Sequence, residues 1–389
     1  MKKQKVLLLL ACASLVMLVG CGKKEDTPSE INPPKTETVP EIVVTLDEDS
    51  TNNTSDENLL LEDVPPEEGM VRSRLTNEWV SEEQNNSRPI AIMVPNSKTA
   101  SYYGLSEASV LYEVNVEGGM TRLMAIIDRW QDLDKIGNIR SCRDYFVYWS
   151  FEWDAIYIHY GGPWYIDEVI GRDDTANINC IEYPEGCFRD ESLTSTDNAF
   201  TSSERIQKAM KHMGYKEEYR PNYADDQHFM FAPFAEPNLL TQYEDAINAK
   251  KIDMSLAYPV TNCYFVYNEE TGLYDRFQNL SGSVDGPHVD NSTNTQLSFK
   301  NILIQNTYYE IRDEKGYLAF QCIDNTRDGW FFTNGKGIHV NWVKKSDYGA
   351  TRYYDDEGNE ILFNTGKTMI CILEDGDSFT ADNSIISGK

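Results

Sequence analysis

The residues best equipped for chemistry lie between Glu113 and His159. Around Gly118-Gly119, alternating apolar and polar residues predict a β-hairpin. If the two glycines form a two-residue loop, Glu117 pairs with Met120 and Asn115 with Arg122. Strand alternation then puts Glu113, Asn115, Glu117 and Arg122 on one face, with Tyr112, Val114, Leu123 and Ala125 on the core side. An arginine framed by two carboxylates and an amide suits an anion or a sugar; it equally suits a structural ion-pair network. Arg140 and Arg143 flank Ser141, the predicted cap of a helix running to about Phe151. Two guanidinium forks beside a helix start offer a carboxylate or phosphate site, or pair with Asp144, Glu152 or the hairpin carboxylates.

His159 ends the strand-like run Asp154 to Tyr160, just before Gly161-Gly162. With Glu117 it is the candidate acid–base pair of a hydrolase. Glycines beside it would let a ligand approach the backbone, and a hydrogen-bonded core histidine is the alternative. His288 lies in Pro287-His288-Val289-Asp290, a turn-like segment that makes it a ligand-binding candidate. His and Asp two apart do not complete a metal site, so no metal is expected. His228, near Asp225 and Asp226, is a weak candidate ligand. H-E-x-x-H, G-x-S-x-G, P-loop and dinucleotide motifs are absent, and no cofactor is expected.

Strands are predicted at Pro89 to Val94, Val110 to Glu117, Met120 to Asp128 and Asp154 to Tyr160. An amphipathic helix is predicted over Ser203 to Met213, closed by Gly214. From about Tyr258 helical periodicity fades and short alternating runs dominate, beginning with Cys263 to Asn268 and Gly272 to Phe277. The expected class is α+β, with residues 88–245 forming an N-terminal α+β domain and 246–389 a mostly β C-terminal one.

Location comes from the N-terminus. Lys2, Lys3 and Lys5 precede an apolar run, Val6 to Val19, that ends in Leu18-Val19-Gly20-Cys21. This is the pattern of a secretory signal, residues 1–20, with a lipid-accepting cysteine at the cut. Lipid on Cys21 would tether the chain to the outer face of the cytoplasmic membrane. Residues 22–88 hold 17 acidic and 6 basic residues, a net of −11, which predicts a disordered acidic tether over 21–87. Glu67 to Val80 could form a short element leading into the body. The whole chain, at −28, lacks the concentrated positive charge that nucleic acid requires. Export permits disulfides, and Cys180 and Cys187 bracket a short loop that suits either a local bridge or two free thiols.

The runs Arg88-Pro89-Ile90-Ala91-Ile92-Met93-Val94, Val110-Leu111-Tyr112-Glu113, Val116 to Arg122 and Ile139 to Phe146 resemble the YerB-like lipoprotein family. Pro287 to Asp290, Asn301 to Gln305 and Tyr354 to Asn359 are similar to its C-terminal part, so the likeness covers Arg88 to about Leu373. The resemblance implies a layered sandwich of mixed β-sheets with outer helices, on surface-tethered lipoproteins of Gram-positive bacteria. It implies no reaction. The family pattern has Ser where this chain has Pro163, and a His-Asn pair where it has Asp197-Asn198. Both departures favour binding over catalysis. The leading expectation is a surface-tethered protein binding a cell-wall fragment or another small anion, in a cleft lined by Glu113, Glu117, Arg122, Arg140, Arg143 and His159. An envelope hydrolase and a scaffold for an envelope protein partner are the alternatives.

Overall fold

The computed structural model describes residues 64–221, 223, 228–280 and 285–388. The signal segment, Cys21 and the acidic stretch as far as residue 63 lie outside them, as do Asp225 and Asp226 beside His228.

The first half of the body supplies strands β1 (Ile90–Pro95), β2 (Val110–Asn115), β3 (Thr121–Ile127), β4 (Ile156–His159) and β5 (Asn177–Asn179). The second half supplies β6 (Ile247–Asn248), β7 (Lys251–Asp253), β8 (Cys263–Asn268), β9 (Leu273–Gln278), β10 (Gly286–Pro287) and β11 (Ser298–Phe299). It continues with β12 (Asn301–Thr307), β13 (Asp324–Thr333), β14 (Lys336–Lys344), β15 (Arg352–Tyr354), β16 (Thr368–Glu374), β17 (Ser378–Ala381) and β18 (Ser384–Ser387).

Among the described residues an eleven-stranded sheet runs β6-β14-β13-β12-β16-β2-β3-β1-β4-β5, with β15 beside β14. β16 lies parallel to both β12 and β2, pairing Ile370 with Leu303 on one side and with Tyr112 on the other. Strands from both halves of the chain therefore share one sheet. β1, β2 and β12 are buried along their whole length; β1 is continuously apolar, whereas β2 buries Glu113 and Asn115 and β12 buries Asn301, Gln305 and Asn306.

Two cores lie on the two faces of this sheet. On the inner face Ile92, Leu111, Leu123, Ile302 and Cys371 meet a second sheet, β10-β9-β8-β7-β17-β18 with β11 on β9. Helix α2 (Ser203–Met213) adds Ile206, Ala209 and Met210 to that core. Ser202 caps α2 by accepting from the Arg205 N–H, and Gly214 closes it in the left-handed region at φ 73°. On the outer face Met93, Tyr112, Met124 and Ile370 meet helix α1 (Asp144–Phe151) through Tyr145, Phe146 and Trp149. The result is the expected α+β layered sandwich, with mixed sheets and outer helices and a C-terminal half made almost wholly of strands.

Two expectations need correction. The body starts before Arg88: strands Met70–Arg72 and Trp79–Ser81 form a hairpin, followed by a short helix, Glu82–Asn86. Leu75 and Val80 are buried there, so a few well-placed apolar residues outweigh the acidic composition. The helix after Arg140 begins at Asp144 rather than beside Ser141. Cys180 and Cys187 form a disulfide across their short loop.

Candidate functional site

The β2–β3 hairpin decides which charges meet. Val116 N–H donates to the Met120 carbonyl at 2.7 Å, leaving a three-residue loop, Glu117-Gly118-Gly119. Gly118 and Gly119 have φ of 75° and 71°, a conformation that favours glycine. The extra loop residue shifts the register: Asn115 lies opposite Thr121, and Val114 opposite Arg122. A shift of one residue moves a side chain to the other face of the sheet. Arg122 therefore does not share a face with Glu113 and Asn115, and the single predicted cluster becomes two.

The outer cluster joins Glu117, Arg122, Arg143 and Arg140. Arg143 grips Glu117 as a fork, Nε to Oε1 at 2.6 Å and Nη2 to Oε2 at 2.5 Å, and its Nη1 donates to the Cys142 carbonyl. Burial alone would lower the Arg143 pKa, but the Glu117 bond outweighs it and holds it above the ordinary value. Asp144, a predicted partner of the arginines, bonds Arg312 instead. Arg140 bonds the buried Asp197 at 2.5 Å, and Asp197 also accepts from Ser97 and Thr99. Arg122 differs from its neighbours. It is partly exposed, and its Nη1 donates to the Ser141 carbonyl at 2.9 Å. Among the described residues no carboxylate pairs with it. Burial, then the neighbouring Arg143, brings its guanidinium down to about 10, so it stays charged at neutral pH.

His159 is fully buried at the end of β4. Its Nδ1 lies 3.0 Å from the Gly161 carbonyl and its Nε2 3.4 Å from Asn177 Oδ1. Burial keeps its pKa below the ordinary value. The structure does not bring His159 to Glu117, whose two oxygens are held by Arg143. Gly161 has a φ of 62°, which favours glycine, and a Cβ on Gly162 would strike Ile166 and crowd the Cys142 carbonyl.

The inner cluster holds Glu113 and His288, joined by a residue the sequence reading missed. Arg276 and Glu113 form a fully buried ion pair at 3.0 Å. Glu113 Oε1 also accepts from Asn96 at 3.0 Å and from Thr121 at 2.6 Å. Arg276 Nε donates to His288 Nδ1 at 2.9 Å. Arg276 was legible in principle. It lies two residues after the buried Tyr274 on β9, so alternation turns it inward. Asp290 accepts from Ser106 N–H and from Ser292, away from His288.

A further buried cluster joins two residues expected elsewhere, Glu152, which pairs with neither Arg140 nor Arg143, and His228. Glu152 Oε1 accepts from the Tyr112 hydroxyl at 2.8 Å, and Oε2 accepts from Thr351 Oγ1 at 2.7 Å. Lys344 and His228 lie 3.6 and 3.2 Å from the same Oε2. Burial would raise the Glu152 pKa, but the Lys344 charge and the hydrogen bonds around it outweigh it and hold it far below the carboxylate range. Among the described residues no group of three or more His, Cys, Asp or Glu is arranged to hold a metal.

The fold and these clusters define a layered β-rich body whose long-range ion pairs tie the two halves of the chain together. Its residues 75–216 match the N-terminal domain, and 254–370 the C-terminal domain, of DUF3048, a family of proteins of unknown function. The chain belongs to that family. It is 27% identical over 323 residues to a Bacillus subtilis (strain 168) protein named "Putative lipoprotein YerB", covering 81% of this chain and 90% of that one. The crystal structure of YerB from Bacillus subtilis shares its fold, with a TM-score of 0.65 at 24% identity, over 78% of this chain and 96% of that one.

Proposed function

We propose that the mature chain is an extracytoplasmic binding protein, tethered through lipid on Cys21, that takes an anionic envelope-derived ligand at Arg122. The observation that carries this reading is the unneutralised guanidinium of Arg122. Glu117 is taken by Arg143 and Asp197 by Arg140, so Arg122 keeps a net positive charge at a partly exposed position. Within the outer cluster, Arg122 is thus the cation left to meet an anion. The resemblance to a protein named as a lipoprotein supports the tether. Among the described residues no helix is long and apolar enough to cross a membrane.

The test is calorimetric titration of the full chain with inorganic phosphate and glycerol phosphate, beside Arg122→Gln. Saturable binding that the variant loses by about tenfold or more is the expected outcome, the scale of one charge-assisted hydrogen bond. Equal binding by the variant, or no saturable binding of either anion, would refute the reading.

A further inference from the structure

The outer cluster borders a surface that its ion pairs leave unused. Trp164 is 72% exposed, more than any other large apolar side chain among the described residues, and Ile181, 58% exposed, lies against Gly161 of the same turn. A single exposed apolar residue is ordinary, whereas an indole held rigidly beside a cation offers a ligand a surface. The hold on Trp164 is tight. The preceding Pro163 accepts from the Ile166 N–H at 3.1 Å, and the buried Tyr165 meets the Trp164 ring edge to face at 6.0 Å.

Backbone hydrogen bonds place this turn beside Arg122. Tyr160 N–H donates to the Arg140 carbonyl at 3.0 Å and Cys142 N–H to the Gly161 carbonyl at 2.8 Å, so residues 160–162 run along residues 140–142. Arg122 donates to the Ser141 carbonyl in the middle of that segment, and Trp164 stands two residues beyond Gly162. Side chains make the same link. Trp164 touches Tyr165, Tyr165 meets Tyr317 at 5.3 Å, and the Arg143 guanidinium lies 5.4 Å from the Tyr317 ring. Arg312 also lies over Tyr165, at 4.2 Å, but is bonded to Asp144.

We propose that the ligand at Arg122 is an acidic sugar, with its acid on Arg122 and a ring face on Trp164; this rests on Arg122 binding an anion. A sugar ring has a face of C–H groups, which an indole can cover, and a rim of hydroxyls, which need acceptors. Asp167 and Glu168, exposed on the short helix that follows Trp164, supply carboxylate acceptors. The same two carboxylates disfavour other partners. They would repel the several phosphates of a nucleotide, and a membrane or an apolar protein surface would have to bury them beside the indole. A bare anion would leave Trp164 uncovered, and a neutral sugar would leave Arg122 unpaired. Sugar carboxylates and sugar phosphates share this chemistry.

The full chain in detergent is titrated calorimetrically with N-acetylmuramic acid, glucose 6-phosphate, N-acetylglucosamine and inorganic phosphate. At least one of the two acidic sugars should saturate, about tenfold tighter than phosphate and N-acetylglucosamine. The tighter of the two identifies the source as a sugar carboxylate or a sugar phosphate. Trp164→Ala should weaken the acidic sugar by about tenfold and bind phosphate as the parent does, which also shows that the variant is folded. Trp164→Phe, which keeps a ring, should recover most of the affinity. Arg122→Gln should lose phosphate and acidic sugar alike. Phosphate binding without tighter binding of either acidic sugar, equal binding of N-acetylglucosamine, or unchanged sugar affinity in Trp164→Ala would overturn the sugar assignment and leave the anion site standing. Failure of phosphate and of both acidic sugars to saturate would refute the two together.

Discussion

Replacing Arg276 with Met removes the cation that neutralises Glu113 between the two sheets. Both residues are fully buried, so no water can replace the lost partner. Glu113 would keep the donors Asn96 and Thr121, which solvate one oxygen but carry no charge. Breaking a buried pair by removing one partner costs about 3–5 kcal/mol. Here the loss should fall within that range, because His288 Nδ1 also loses its donor. The double variant Glu113→Gln with Arg276→Met removes both charges and should recover more than half of the loss, since desolvating the pair already offsets much of its attraction. Urea unfolding of the full chain, followed by tryptophan fluorescence, measures all three proteins against the parent. The slope of stability on urea should stay constant, showing that the same surface unfolds. A loss below about 1 kcal/mol for Arg276→Met, or a double variant no more stable than the single one, would show that the pair does not hold the sheets together.

His339 links Asp328 and Asp356, and the bond to Asp328, with that to Asp356 behind it, raises its pKa despite partial burial. The stabilisation is therefore complete below the unfolded histidine value of about 6.5 and is lost as pH rises through the higher folded value. His339→Gln should flatten that part of the pH–stability curve, and an unchanged slope would remove the assignment. Cys21→Ser should abolish incorporation of a labelled fatty-acid analogue, while equal labelling of both forms would end the lipoprotein reading. Brief proteolysis should trim the acidic segment and stop near Met70, leaving one body, because β16 is hydrogen-bonded to both β2 and β12. Two stable fragments divided near residue 245 would contradict that single sheet.

Where the sequence was legible, the signal was local. Helix α2 was readable because its apolar face, its serine cap and its closing Gly214 lie within a dozen residues. The β8–β9 hairpin was readable because its alternation and its turn sit side by side, and Cys263 to Asn268 match the strand end to end. The Cys180–Cys187 bridge could be framed as one of two outcomes for the same reason. The hairpin before Arg88 was legible as a short element over Glu67 to Val80, but the acidic composition around it hid that Leu75 and Val80 are buried as part of the body.

The candidate site was less legible because it depends on register and on distant pairing. Two glycines suit a two-residue loop or a three-residue one, and the choice sends Arg122 to one face or the other. Placed inward, Arg122 would have been a second cation beside Glu113 and Arg276. Placed outward, it stands beside Arg143 with a carbonyl as its partner. The inward position is filled by Leu123, opposite Glu113, and by Thr121, whose hydroxyl bonds Glu113 at 2.6 Å. One added loop residue therefore does two things at once. It gives the buried carboxylate a neutral donor and reserves its charge for Arg276, and it releases Arg122 as an unpaired cation on the other face. The outward-facing Arg122 and the inner ion pair are consequences of the same turn, so inserting or deleting one residue at Gly118-Gly119 should disrupt both together.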